Sequence, residues 1–288
     1  SGGQPYEPRE YLYGKDERVC TQIELSRRLA ADPAWAGGLK RVVMIQCVGS
    51  RSETFPACSR VCCAAAVKNS LTLKELNPQA QVIVLYRDLR TFGFMETYYL
   101  KARQAGVLFF RYIPQEGPEV FLEGGRLTVD FTDRSAHRDF RVEPDLVVLS
   151  AGIRPSEGSR DLERLLKLPC TGEGFFLEAH VKLRPMDFAT AGIYLAGLAH
   201  SPRFIKESLI MAQGAAQQAA KILSRPERPF GAPFINENHV SEIRPADCRG
   251  CGICTAECPA QAIALRHTRD EQLNASIDGL LEGALGSH

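Results

Sequence analysis

Eight of the ten cysteines in this 288-residue chain fall into two groups of different design, and each group restricts the backbone around it. The later group reads Cys248-Arg-Gly-Cys251-Gly-Ile-Cys254-Thr-Ala-Glu-Cys258-Pro259. Its spacing is the C-x2-C-x2-C-x3-C-P run of bacterial [4Fe-4S] sites. Short gaps let three thiolates converge on one cube, while Gly250 and Gly252 keep the backbone slim enough to wrap it and turn N–H groups toward its sulfurs. Zinc ribbons instead set two C-x-x-C pairs well apart, so the spacing favours iron-sulfur over zinc.

The earlier group is Cys47, at the end of the apolar run Arg41-Val-Val-Met-Ile-Gln-Cys47, followed after a loop by Cys58-Ser-Arg-Val-Cys62-Cys63. Free cysteine is among the most buried side chains, so small core residues are the plain alternative. An adjacent pair argues against it. Neighbours on a helix point about 100° apart, so Cys62 and Cys63 can both reach one cluster only at a helix N-terminus or a break, where N–H groups also favour an anion. A second [4Fe-4S] site is the expectation here, with a redox disulfide as its competitor.

The chain is long enough for two or three packed units, and 44% apolar against 24% charged residues excludes disorder. A net charge of +1 without a long basic run speaks against nucleic acid and anionic membrane surfaces as partners. No apolar stretch reaches the length of a membrane span, and no signal peptide opens the sequence. Ten cysteines without export point to a reducing, cytoplasmic setting, where they serve as metal ligands more often than as disulfides.

Thr21-Gln-Ile-Glu-Leu-Ser-Arg-Arg-Leu29 reads as a short helix capped by Thr21. Strands over 41–47, 82–86 and 107–112 alternate with helices over about 59–76 and 95–105, which implies a parallel sheet. From 119 to 142, short strands around Glu123-Gly-Gly125 and Asp133-Arg-Ser135 read as an antiparallel meander. Asp145-Leu-Val-Val-Leu-Ser150 returns to the sheet, and Ala151-Gly-Ile-Arg-Pro155 turns away from it. A strand at Ala191-Gly-Ile-Tyr-Leu-Ala-Gly197 then precedes a long amphipathic helix over about 204–224. Residues 226–245 read as a linker, and 246–284 as a ferredoxin-like segment and tail. The expected units are 1–40, the start of a flavin domain or a linker; 41–150, a degenerate nucleotide-binding-like domain carrying a cluster; and 151–225, the end of the flavin domain.

This order of elements resembles thioredoxin-reductase-like flavoproteins, giving an α/β fold class with a parallel sheet, an antiparallel meander and a small iron-sulfur segment. Finer motifs narrow it. Gln46-Cys-Val-Gly-Ser-Arg51, Cys58-Ser-Arg-Val-Cys-Cys63, Tyr86-Arg-Asp-Leu-Arg90 and Gly106-Val-Leu-Phe-Phe-Arg111 are similar to the A subunit of heterodisulfide reductases. So are Gly197-Leu-Ala-His-Ser-Pro-Arg-Phe-Ile-Lys-Glu-Ser208 and the closing cysteine run with Asp270-Glu-Gln272. The resemblance implies FAD, two [4Fe-4S] clusters in this stretch, and a flavin hub for electron bifurcation, of which the chain is the C-terminal half. It implies that Cys47, Cys58, Cys62 and Cys63 ligate the cluster nearest the flavin, and that Lys68 approaches the flavin N5. Gly197, Leu198, Ala199, His200, Ser201, Pro202, Ile205, Lys206 and Ser208 would contact the flavin and its ribityl-phosphate arm. For His200 a surface histidine is the leading reading, for Lys68 a solvated helix lysine is the alternative, and for the rest of the segment ordinary strand-helix packing is. The implied partners are the other subunits of such a complex and electron donor or acceptor proteins, and a homodimer is compatible.

Three features depart from that pattern. No G-x-G-x-x-G follows a predicted strand, so the grip on the ADP part of FAD must come from elsewhere. Cys47-Val-Gly-Ser-Arg51 stands where a dinucleotide turn would be, and no NAD(P)H site is expected. With a single C-x2-C-x2-C-x3-C-P run, Cys258 lacks its usual counterpart; it ligates locally, or Cys20, Cys170 or a second chain supplies the fourth ligand. The leading expectation is an iron-sulfur flavoprotein oxidoreductase relaying electrons between flavin and partners. A docking subunit that has lost its flavin site, or the same module serving aromatic-ring or sulfur-compound reduction, are the alternatives.

Overall fold

A computed structural model describes residues 2–224, 233–235 and 241–243. The 248–258 cysteine run, with Cys248, Cys251, Cys254 and Cys258, lies outside the described residues, as does most of the 226–245 linker. Contacts divide the chain into two units, Ser1–Lys221 and Ile222–His288. Within the second, β11 (Pro233–Ile235) and β12 (Ser241–Ile243) pair antiparallel.

The first unit runs β1 (Gly3–Pro5), β2 (Val19–Thr21), α1 (Gln22–Ala31), β3 (Arg41–Val48), α2 (Cys62–Leu76), β4 (Gln81–Tyr86), α3 (Glu96–Gln104) and β5 (Leu108–Arg111). The meander β6 (Glu119–Glu123), β7 (Arg126–Asp133) and β8 (Arg138–Val142) follows, then β9 (Leu146–Ala151), β10 (Ile153–Pro155), α4 (Ser159–Leu166) and α5 (Ile205–Leu223). Five strands form one parallel sheet in the order β2-β9-β3-β4-β5.

Alternation sorts the sheet's side chains between two layers. Val42, Met44, Val82, Val84, Leu146 and Val148 face Leu25 and Leu29 of α1, Ala66, Val67 and Leu73 of α2, and Ala102 of α3. Val43, Ile45, Ile83, Leu85, Val147 and Leu149 face Leu127, Val129 and Phe131 of the meander. The parallel sheet and the meander therefore share a core, and the expected α/β class is what the chain adopts. Thr21 caps α1 as expected: its side chain accepts from the Glu24 N–H, and Glu24 returns a bond to the Thr21 N–H at 2.6 Å.

The structure differs from the sequence reading at several places. Residues 19–31, expected with a flanking segment, supply an edge strand of the central sheet and a helix packed on its core. α2 begins at Cys62 rather than 59, because Arg60 adopts a left-handed φ of 57° that no helix accommodates. Ala191–Gly197 is not a strand. It holds an isolated Asp187–Tyr194 bridge and a 3-10 turn over Gly197–Ala199, tied by the Leu195 N–H to the Met186 carbonyl at 2.7 Å. Among the described residues, no helix is long and apolar enough to cross a membrane.

Candidate iron-sulfur and flavin site

The carboxyl ends of β3, β4 and β9 form one rim of the parallel sheet, the edge where α/β folds place ligands. At this rim β3 carries a bulge. Its pairing with β9 slips by one residue between Ile45 and Val48, and Cys47 sits in the slip with φ 64°. An extra residue re-aims its side chain out of strand alternation. The loop that follows is drawn back over the sheet: Ser59 Oγ accepts from the Ile153 N–H at 2.7 Å, and Arg154 Nη2 donates to the Gly49 carbonyl at 2.6 Å. Gly152 permits this approach, since a Cβ there would lie 3.0 Å from Ser50 Cβ.

Cys62 and Cys63 are the first two residues of α2, the helix start their adjacency called for. No side chain caps this terminus, so its first N–H groups remain open toward the thiols. The Cys62 thiol is hydrogen-bonded to Cys63, and Cys47 and Cys58 both lie within electrostatic reach of Cys62. That hydrogen bond is the main cause holding Cys63 below the ordinary thiol range, with the Arg90 backbone N–H contributing, while Cys62 itself is pushed up. All four are free thiols, as are Cys20 and Cys170. Among the described residues, no group of three or more His, Cys, Asp or Glu converges as a single-ion site. A cube receives its thiolates at separate corners, so ligands for one are spread more widely than those of a lone ion.

The walls fit an anionic group. Burial raises Cys47 above the usual thiol range, as does the neighbouring Cys63, whereas Arg51 and Arg87 pull the other way. Arg51 Nη1 and Arg87 Nε are buried with no acceptor among the described residues. Arg51 Nη2 pairs with Asp88 Oδ2 at 2.6 Å, and Arg87 Nη1 donates to the Arg51 carbonyl at 2.6 Å.

Lys68 lies on α2 with its Nζ donating to Ser26 Oγ of α1 at 3.0 Å. Ser26 in turn donates to Asn69 Oδ1 at 2.8 Å, and Asn69 Nδ2 donates to the Gln22 carbonyl and Oε1 at 3.0 and 2.7 Å. In the 197–208 segment, Gly197 takes φ 61°, the Ala199 carbonyl accepts from Phe176 N–H, and Ser208 approaches Gly197. His200 is no surface histidine: its Nε2 lies 2.6 Å from Glu178 Oε2, with side chains 16% and 10% exposed, and Arg203 Nη2 donates to its Nδ1. Those partners fix the Nε2–H tautomer. Burial works against the Glu178 carboxylate, yet its own backbone N–H and His200 hold it below the usual range. His200, Glu178 and Arg203 line a cavity of about 530 Å³ with Met186 and Gly214. Ile205 and Lys206 are exposed at the start of α5. Cys20 packs against the core on the helix side of the sheet, where burial pushes its thiol up to about 12.

No family model matches the chain. Curated relatives do. The chain is 36% identical over 278 residues to the A subunit of the H(2):CoB-CoM heterodisulfide,ferredoxin reductase of Methanothermobacter thermautotrophicus, covering 91% of this chain and 40% of that one. It is 38% identical over 274 residues to an iron-sulfur A subunit of the CoB--CoM heterodisulfide reductase of Methanopyrus kandleri, covering 91% and 41%. The chain belongs to the A-subunit family of heterodisulfide reductases. It spans less than half the length of these relatives. Among solved structures, T. acidophilum thioredoxin reductase is similar at 16% identity and a TM-score of 0.49, over 78% of this chain and 64% of that one.

Within this A-subunit chain, sequence reasoning named the thiols and missed their surroundings. Arg51, Arg87, Asp88 and Arg90 stand inside motifs that carried the resemblance, yet none stood out as part of the site. The available signal was positional, because Arg87-Asp88 follows directly on the end of β4, at the same rim as Cys47. Arg60 and Glu207 carried no comparable signal.

Proposed function

We propose that this chain is an electron-transfer module of a heterodisulfide-reductase-like complex, with one [4Fe-4S] cluster at Cys47, Cys58, Cys62 and Cys63, a second at the 248–258 run, and FAD beside the first. The observation that carries this reading is that Cys47, Cys58 and Cys63 all act electrostatically on Cys62 at one rim of the sheet, beside Arg51 and Arg87, each with a buried unsatisfied donor. The name of the Methanopyrus kandleri relative, which calls it an iron-sulfur protein, supports it.

Bound there, the cluster supplies single-electron exchange and FAD the exchange of an electron pair. The chain's own residues divide the remaining work. The bulge at Cys47, the loop at Cys58 and the start of α2 present the four thiolates, and the Arg51 and Arg87 guanidinium groups offset their negative charge. Lys68 is assigned to the flavin side, where an ammonium favours added negative charge. Gly197 to Ser208 form the flavin-facing segment, with His200 held rigid between Glu178 and Arg203. The ADP end of FAD is gripped by residues outside this chain, and electrons pass through partner subunits rather than through NAD(P)H. A cytoplasmic complex that splits electron pairs between two acceptors completes the reading.

Anaerobic purification with iron, sulfide and flavin assays, and visible spectra before and after dithionite, tests this. About eight irons per chain are expected, four per cube. Flavin should appear on co-expression with the missing partners. Iron without flavin under those conditions would favour a docking subunit, and colourless protein would contradict both.

A further inference from the structure

Arg51 is the most tightly held of the basin's cations. It adopts a left-handed φ of 55°, its backbone N–H donates to the Ala57 carbonyl at 3.2 Å, and its carbonyl accepts from Arg87. Asp88 fixes the guanidinium through Nη2, and Arg111 braces Asp88 from the other side at 3.4 Å while its Nε donates to the Arg87 carbonyl at 3.0 Å. The Arg51 side chain is only 18% exposed and already donates a hydrogen bond to the Cys47 thiol. Its Nη1 nevertheless has no acceptor among the described residues, and neither has Arg87 Nε. A buried donor without a partner forfeits its hydration with nothing to offset the loss. Two such donors, anchored through their other nitrogens at one thiol basin, point to an acceptor that arrives with a bound group. The sulfurs of an iron-sulfur cube are acceptors of that kind, and hydrogen bonds to them are one of the levers on cluster potential.

We propose that Arg51 donates Nη1–H to a sulfur of the cluster at Cys47, Cys58, Cys62 and Cys63, with Arg87 Nε as a second donor, and so raises that cluster's midpoint potential. This rests on the cluster assignment above. On reduction the cluster takes one electron from flavin or a partner carrier, no atom moves, and one negative charge is added. A fixed cationic donor stabilises the reduced form more than the oxidised form, so its loss makes the cluster harder to reduce. Asp88 is a positioning residue that acts by orienting Arg51.

The test is a dithionite titration followed by electron paramagnetic resonance on the full chain, with iron and sulfide counted in each sample. The near cluster is identified as the signal lost in Cys62→Ala, and the 248–258 cluster serves as internal reference. In Arg51→Gln the near cluster should shift to a more negative potential with iron unchanged and the reference unmoved; Arg51→Lys should shift less. Full iron with an unshifted near cluster in Arg51→Gln overturns this inference and leaves the cluster assignment standing. Wild-type chain without a near cluster overturns the assignment and the inference with it. Should Arg51→Gln fail to load, Arg51→Lys keeps the charge and loses the fixed planar donor: a negative shift there supports the proposal, and no shift overturns it.

Discussion

Arg60, inside the cysteine loop, meets Glu207 on the first turn of α5: Nη2 lies 2.8 Å from Oε1, and Nη1 donates to the Pro202 carbonyl at 3.4 Å. Glu207 Oε2 also accepts from the Phe204 N–H at 2.9 Å. One carboxylate thus caps the helix and joins it to the loop between Cys58 and Cys62, which links the proposed cluster segment to the proposed flavin segment.

The two roles of Glu207 separate by substitution. Glu207→Gln retains an acceptor for Phe204 and loses the charge pair, which at this exposure is worth about 0–1 kcal/mol. Glu207→Ala loses both and should cost about 1–2 kcal/mol, the range of a lost helix cap added to the pair. Urea unfolding of both variants checks this, and equal effects would show that the cap contributes nothing.

Asn69 has no exposed surface and joins α1 to α2 through three hydrogen bonds with Gln22 and Ser26. Asn69→Ala strands Gln22 Oε1 and leaves the Ser26 hydroxyl without its acceptor, and should destabilise by about 2–3 kcal/mol. Lys68→Gln, one position away and exposed, should stay within about 0.5 kcal/mol. If Lys68 faces the flavin, its variant instead shifts the flavin potential in the assembled complex. A Lys68→Gln protein as unstable as Asn69→Ala would make the lysine structural.

Cys20 predicts a pH effect. Burial holds its thiol protonated up to about 12, whereas an unfolded thiol ionises near 8.5. Above pH ~8.5 the unfolded chain therefore binds fewer protons than the folded one, so stability present below that pH is lost as pH rises. The loss approaches about 1.4 kcal/mol per pH unit. Urea unfolding at pH 7.5 to 9.5 should show a shallower decline for Cys20→Ala than for wild type, and parallel declines would contradict the account. Native Cys20 should also resist alkylation at pH 8.

The fold was legible where periodicity and caps govern it. Thr21 with Glu24 announces α1, and the alternation of Val42 to Ile45 announces a strand covered on both faces. The four thiols were legible as well, because an adjacent Cys62-Cys63 pair has few uses away from a helix start. What was hidden depends on residues with ordinary composition in unusual conformations. Cys47, Arg51 and Arg60 all take φ near +60° without being glycine, which no local pattern announces. The stretch 191–197 read as a strand from its apolar residues, but it pairs with Asp187 and Met186 rather than with a ladder. The Arg60–Glu207 pair spans 147 positions and exists only in the folded chain.

The central claim is that Cys47, Cys58, Cys62 and Cys63 hold one [4Fe-4S] cluster, and counting iron in a Cys62→Ala, Cys63→Ala double variant tests it most directly. Anaerobically purified protein should lose about four of about eight irons per chain and retain the signal of the 248–258 cluster. Iron content equal to that of wild type would contradict the account.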